Sequence, residues 1–394
     1  MLLKAFIGTG VIFLPGSFAS GGLVLSIVLM VIIGVVCLIS FRRLVDAHET
    51  VGGSYGHVAE VLMNRWAKYI IQFFLCISQM GFVASYMIFI SSNVDLVIKK
   101  LNHCFDPIAA HYYIWIFLAV IAPLCWVRKI GRIGWCAIVA DIFILFGLIC
   151  VIYFSAHQIH DQGGMGPNMV MVNSNDFALM IGTAVFSFEG IGMVVPVKEG
   201  MKDPAKFKGV VTVGTIICIV VFTFIGAFGY AAFGDQIQSN IVYSLPQTPL
   251  STTVQLVYAI AMILTSPFML YPPLTIIEEG LFKPHHRGQT SLKWKWLKNL
   301  VRTIIPVICA AVSFGVGADG LGKFVALVGS VACMPLCFVF PGLFHMKIAK
   351  TKFQKLVDVI LIVFGVAMAI YTIVVNVESW LVPATPSTVS LCTA

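Results

Sequence analysis

The chain has 394 residues, of which 59% are hydrophobic and 11% charged, with a formal net charge of +8 and a mean hydropathy of +0.97. A soluble domain carries about 25% charged residues, so the composition excludes a soluble protein and implies a polytopic membrane protein. The basic excess raises the question of nucleic acid, which the placement of the charges answers below.

A spanning helix needs about 20 predominantly apolar residues. By that rule eleven segments are predicted, at 1–17, 23–41, 67–99, 111–127, 133–155, 176–196, 207–234, 251–279, 300–316, 321–345 and 356–380. The first contains Gly8, Thr9 and Gly10 between apolar residues, and glycine raises the cost of a regular helix by roughly 1 kcal/mol per residue. Backbone freed from a helix inside lipid survives only where it lines a polar cavity. An unwound stretch is therefore expected at Gly8, Thr9 and Gly10. The third and eighth segments are the longest. The fourth and ninth are short, with internal Pro123 and Pro306. The sixth carries a second break, Phe186, Ser187, Phe188, Glu189 and Gly190, about 180 residues after the first.

The basic residues test this layout. With a cytosolic N-terminus and a lumenal C-terminus, 22 of the 25 lysines and arginines fall on the cytosolic side, leaving Lys99, Lys100 and Lys323 outside, as the positive-inside rule requires. The charge is thus a topology signal, with no call for nucleic acid. The run from Lys283 to Arg302 includes Trp294 and Trp296 and reads either as a solvated loop or as a segment lying on anionic headgroups. Nine of the eleven cysteines sit inside apolar runs, where they behave as small buried hydrophobes.

Segments one to five and six to ten match in outline, giving a first repeat at 1–156, a second at 176–346 and an extra helix at 356–380. Five spans per repeat is an odd number, so the two must insert with opposite orientation. Inverted repeats whose first helices are interrupted by glycine point to a secondary transporter with a midplane site. The expected fold is all-α, of the five-plus-five inverted-repeat (LeuT) kind with helices one and six broken.

Broken helices present N–H groups at one end and carbonyls at the other, the pair a zwitterion needs. Thr9 is expected to cap the helix resuming at Gly10 and Val11, whose amides would hold a carboxylate. Carbonyls near Phe186 and Ser187 would receive an amine. Glu189 lies in an apolar run, where a carboxylate costs at least about 2.5–3.5 kcal/mol at the bilayer centre. Such a residue marks a functional path, here a proton site; the alternative is a structural Glu that satisfies loose amides. Gln79 and Tyr86 share a face of segment three, and Thr265 and Ser266 precede Pro267 in segment eight. Each pair is either pocket or packing. Asp95 and Asp141 read as structural.

The glycines from Gly315 to Gly320 match a nucleotide-loop pattern but lie in a short turn between apolar helices, without a strand. Neither His157 with His160 nor His285 with His286 has the surrounding ligands of a metal site. No nucleophile–base pair appears within the spans, so no enzyme, resident cofactor or metal is expected.

The residues from Leu2 to Pro15 resemble the first-helix signature of the amino acid/auxin permease family. Phe186 to Gly192, with Pro196 and Met201 to Pro204, resembles its sixth-helix signature, and Ser54 to Ala59 its loop after helix two. The resemblance, which covers essentially the whole chain, lies nearest to fungal vacuolar amino acid transporters and the animal proton-coupled transporters. It implies eleven helices, substrate held by Ile7, Gly8, Thr9, Gly10, Val11, Phe186, Ser187, Phe188 and Gly190, proton coupling, and export of neutral amino acids from an acidic vacuolar lumen. Family members carry a long cytosolic segment before helix one. Here seven residues precede Gly8, about 10 Å of helix against about 15 Å for half the hydrocarbon core, so that segment is expected to be missing. An amino acid sensor without flux and a sodium-coupled transporter are the competing readings.

Overall fold

The computed structural model describes residues 8–101, 108–128, 130–282 and 292–381. Every regular element among them is helical. Among the described residues nine helices are long and apolar enough to cross a membrane, and two shorter apolar helices, Gly10–Gly21 and Ala110–Cys125, accompany them. These eleven match the predicted segments in order.

The elements follow the chain simply. A 3-10 turn, Thr9–Phe13, leads into α1 (Leu14–Gly21), and Gly22 turns the chain into α2 (Leu23–Val51). Gly22 has φ +77°, and a Cβ there would come 2.8 Å from the backbone of Met171 and Val172, so the turn requires glycine. A short helix, α3 (Tyr55–Leu62), replaces the loop expected after helix two; Ser54 caps it by accepting the His57 N–H at 3.3 Å. Then follow α4 (Arg65–Leu101), α5 (Tyr113–Cys125), α6 (Ile130–Asp161), α7 (Phe177–Ser187), α8 (Ile191–Glu199), α9 (Phe207–Phe233), α10 (Pro249–Leu281) and α11 (Leu292–Val316). The tenth span starts as α12 (Leu321–Val328), passes through π-helical turns at Gly329–Cys333 and Pro335–Val339, and ends as α13 (Phe340–Ile348). The last helix is α14 (Lys352–Leu381). Gly317, at φ +68°, sits in the turn between α11 and α12, which makes the glycine-rich stretch a connection between helices.

The chain forms two compact units. The first comprises Met1–Ser78, Val151–Ser244 and Val325–Leu381. In it α9 packs on α1 and α2, α13 on α2, and α7 on α1 and the first π-turn. Glycines let these helices approach: a Cβ on Gly226 would strike the Phe18 ring, and one on Gly229 would lie 2.6 Å from Ile241 and 2.8 Å from Pro15. The charged end of α2 is tied down by ion pairs. Lys198 of α8 reaches Glu49 at 3.2 Å, while Lys208 of α9 lies 2.6 Å from both Asp46 and Glu49.

The second unit comprises Gln79–Cys150 and Leu245–Phe324. There α5 packs against α10 and α11. A buried Arg302 on α11 joins the three: it donates to Glu278 of α10 at 2.7 Å and to the Cys125 carbonyl of α5 at 3.1 Å. Thr248 and Ser251 form a reciprocal capping box at the start of α10, which satisfies two orphan amides.

Candidate functional site

The second predicted break is present, whereas at the first stretch Thr9 and Gly10 are wound into a 3-10 turn that follows Gly8, the first described residue. The first unit brings the two stretches together. At the first, Gly8 is extended (φ −97°, ψ −159°) and occupies the N-cap, with Thr9 already the first residue of the 3-10 turn. The cap therefore falls one residue earlier than expected. Amides of a helix's first turn have no carbonyl partner within the helix, which leaves the Gly10 and Val11 N–H groups at its positive end. Ile7 lies outside the described residues, as do His285 and His286.

At the second break α7 stops at Ser187, Phe188 to Gly190 leave helical pairing, and α8 resumes at Ile191. The Phe188 N–H still reaches the Ala184 carbonyl at 2.9 Å, and that of Glu189 reaches the Phe186 carbonyl at 3.3 Å. Ser187 joins the breaks: its hydroxyl contacts the carbonyl of Thr183 at 2.9 Å and that of Gly10 at 3.2 Å. The start of one half-helix thus meets the end of another.

Phe186 and Phe188 are 1% exposed. The Phe186 ring lies edge-on to Phe13 at 6.2 Å, and the Phe188 ring contacts Phe222 at 5.1 Å. A Cβ on Gly34 would come 3.1 Å from the Phe188 ring. Both rings belong to the core of the unit, so what these two positions offer a ligand is backbone. Periodicity cannot make that distinction, because a core ring and a pocket ring look alike in sequence.

Glu189 is half-buried and lies within electrostatic range of Tyr55, Cys333 and Cys337. Tyr55, the first residue of α3, donates its hydroxyl to the Leu336 carbonyl at 2.7 Å, and Ser40 of α2 donates to that of Cys337. The carboxylate therefore borders the π-helical stretch of the tenth span. Sequence reasoning missed that stretch; its traces are Gly329 and Pro335 inside an apolar run. Gly329 packs against the backbone of Gly182 on α7, where a Cβ would overlap it.

Of the remaining candidates, Gln79, Tyr86, Asp95, Thr265 and Ser266 belong to the second unit, and His157 and His160 to the first. Gln79 and Tyr86 are both buried on α4. Thr265 and Ser266 each donate back to their own helix, to Ala261 and Met262 at 2.7 Å, so any ligand would meet their oxygen lone pairs. Asp95 pairs with Lys99 at 2.8 Å. His157 and His160 both face Asp161, at 2.6 and 3.5 Å.

With this geometry in place, comparison with known proteins is decisive. Residues 1–377 match the model of the transmembrane amino acid transporter protein family. The chain belongs to that family. As a transmembrane amino acid transporter family member it is an integral membrane protein and not an enzyme. Vacuolar amino acid transporter 3 of Saccharomyces cerevisiae is 36% identical over 96% of the chain and 56% of its own length. Vacuolar amino acid transporter 3 of Schizosaccharomyces pombe is 33% identical over 94% and 56%. This family member thus spans a little over half the length of those yeast relatives. Amino acid transporter AVT3C of Arabidopsis thaliana is 28% identical over 93% of the chain and 86% of its own length. Among solved structures, two of Mhp1, a nucleobase-cation-symport-1 transporter, share the fold. The inward-facing one has a TM-score of 0.63 at 14% identity, covering 96% of this chain and 90% of that one. The closed one, with bromovinylhydantoin bound, has a TM-score of 0.58 at 15%, covering 96% and 91%.

Proposed function

We propose that this chain is a secondary active transporter of mainly neutral amino acids, coupled to protons and moving substrate from the vacuolar lumen to the cytosol by alternating access. The observation that carries this reading is the junction at Ser187 and Gly10, which sets the positive start of one half-helix beside the negative end of another. A zwitterion matches that pair of ends: its carboxylate meets the amides at Gly10 and Val11, its amine the carbonyls closing α7. Glu189, in the second break, is the proton site. A carboxylate there changes charge between the two faces of an acidic compartment, which gives the transport cycle a gradient to use. The matched yeast relatives are vacuolar amino acid transporters by name, which supports both the substrate class and the membrane. The repeats at 1–156 and 176–346, with a cytosolic N-terminus, are part of the same reading and rest on break positions and charge placement.

Flux of radiolabelled amino acids into proteoliposomes, with and without an imposed pH gradient, tests it. Uptake of neutral amino acids should rise with the gradient, and Glu189→Gln should remove that response. Flux driven by sodium and indifferent to pH would instead make Thr265 and Ser266 the ion ligands to examine. Binding without flux would mark a sensor.

A further inference from the structure

In the second unit an open cleft of about 510 Å³ lies where α5 ends and α11 begins, lined by Trp126, Lys293, Trp296, Leu300 and Thr303 among others. Its two indoles face each other edge to face at 6.1 Å and 80°. Trp126 is fixed by donating its Nε1–H to the Thr303 hydroxyl at 2.9 Å. The walls are therefore set, and almost wholly apolar.

Charge around the cleft is unevenly spent. Lys298 and Arg302 are committed to Glu278, at 3.1 and 2.7 Å, and Arg128 donates to Asn299 at 2.9 Å. Lys293 and Lys295 are exposed, and neither makes an ion pair among the described residues. Lys293 lines the cleft itself. Below it Trp296, Leu300, Ile304 and Ile308 recur every fourth residue, all exposed by 45% or more. One apolar stripe of α11 thus runs from the cleft down the span. Tryptophan favours the membrane–water interface, which sets the depth of the cleft at the headgroups.

We propose that this cleft binds one anionic phospholipid, with its phosphate on Lys293, its glycerol region between Trp126 and Trp296, and an acyl chain along the stripe from Leu300 to Ile308. A soluble anion would leave the apolar walls unused, and a zwitterionic lipid, whose own ammonium offsets its phosphate, would gain less from the lysine than a lipid of net negative charge. A lysine near an anionic surface contributes enough to change affinity about fivefold. The assignment does not depend on what the protein transports.

Native mass spectrometry of the purified full chain in detergent tests it, with added phosphatidylserine or phosphatidylcholine of identical acyl chains. One phosphatidylserine should be retained in preference to phosphatidylcholine. Lys293→Gln should weaken that adduct about fivefold, Lys293→Arg should keep it, and Trp296→Ala should weaken both lipids. Lys352→Gln, an exposed lysine at the start of α14, should change nothing. An unchanged melting temperature keeps a loss of fold from counting as a loss of site. Equal retention of the two lipids, or a Lys293→Gln variant that binds phosphatidylserine as tightly as the parent, overturns the assignment.

Discussion

Ser187 and Gly10 fit each other in two ways at once. The serine hydroxyl lies 3.2 Å from the glycine carbonyl, and a Cβ on residue 10 would sit 2.9 Å from Ser187 Cα and 3.0 Å from its Oγ. The crossing of the two breaks is therefore built for a hydrogen at position 10. Gly10→Ala should destabilise the protein by about 1–3 kcal/mol, the usual cost of overpacking. Gly8 has open space where its Cβ would go and a negative φ, so Gly8→Ala should cost less than about 1 kcal/mol, from a poorer cap. Thermal unfolding of the two variants in detergent checks the order.

Removing the hydroxyl should couple to that change. Ser187→Ala alone loses a shared hydrogen bond worth about 1 kcal/mol. In the Gly10→Ala background it also removes one of the clashing atoms, so the double variant should be more stable than the two single costs predict. A double-mutant cycle that came out additive within about 0.3–0.5 kcal/mol would separate the two positions.

Much of this geometry was legible from residue types alone. Gly8 and Gly10 bracket a threonine in an apolar run, and Glu189 interrupts another; both violate what lipid allows a helix, so both announce themselves. The cap was misplaced by one residue because Thr9 is the better capping type, whereas the extended backbone at Gly8 decides the position. The roles of the Phe186 and Phe188 rings were hidden, since hydropathy reports that a ring is buried and not against what. The π-turns between Gly329 and Val339 were hidden too. They alter backbone pairing without altering the apolar pattern, and only the close contact of Gly329 with Gly182 gives them away. Tyr55 reads as part of a loop because an eight-residue helix is too short to show a period.

The last helix is held by charge. Asp358 of α14 is fully buried. His345 Nδ1 of α13 lies 2.6 Å from its Oδ2. Arg43 Nε of α2 lies 3.0 Å from Oδ1, an ion pair whose N–H is not aimed at the oxygen. Arg43 Nη1 also stands 3.1 Å from His345 Nε2; since arginine only donates, that nitrogen accepts and Nδ1 carries the proton toward Asp358. Asp358→Ala should cost about 3–5 kcal/mol, because it strands a largely buried cation. Pairing it with Arg43→Met should restore most of the loss, which melting curves of the single and double variants would register.

Arg302 poses the same question in the second unit, with a sharper answer. It is 4% exposed, and its fork meets three groups: Glu278 Oε2 at 2.7 Å, the Cys125 carbonyl at 3.1 Å and the Val127 carbonyl at 3.4 Å. The Cys125 carbonyl closes α5 and that of Val127 lies just past its end; the helix is only 13 residues long and contains Pro123, so its end depends on an outside donor. Lysine keeps the charge and can still reach Glu278, but it cannot serve a carboxylate and two carbonyls in one plane. Arg302→Lys should therefore cost about 1–3 kcal/mol, the penalty of a buried acceptor left unsatisfied. Arg302→Met should cost more, since Glu278 then keeps only Lys298 at 3.1 Å and Arg128 at 3.9 Å. Hydrogen exchange locates the damage: amides around Cys125 should lose protection in both variants, and those near Glu278 chiefly in Arg302→Met. Full protection at both places in Arg302→Lys, with loss only in Arg302→Met, would mean that Arg302 acts through its charge alone.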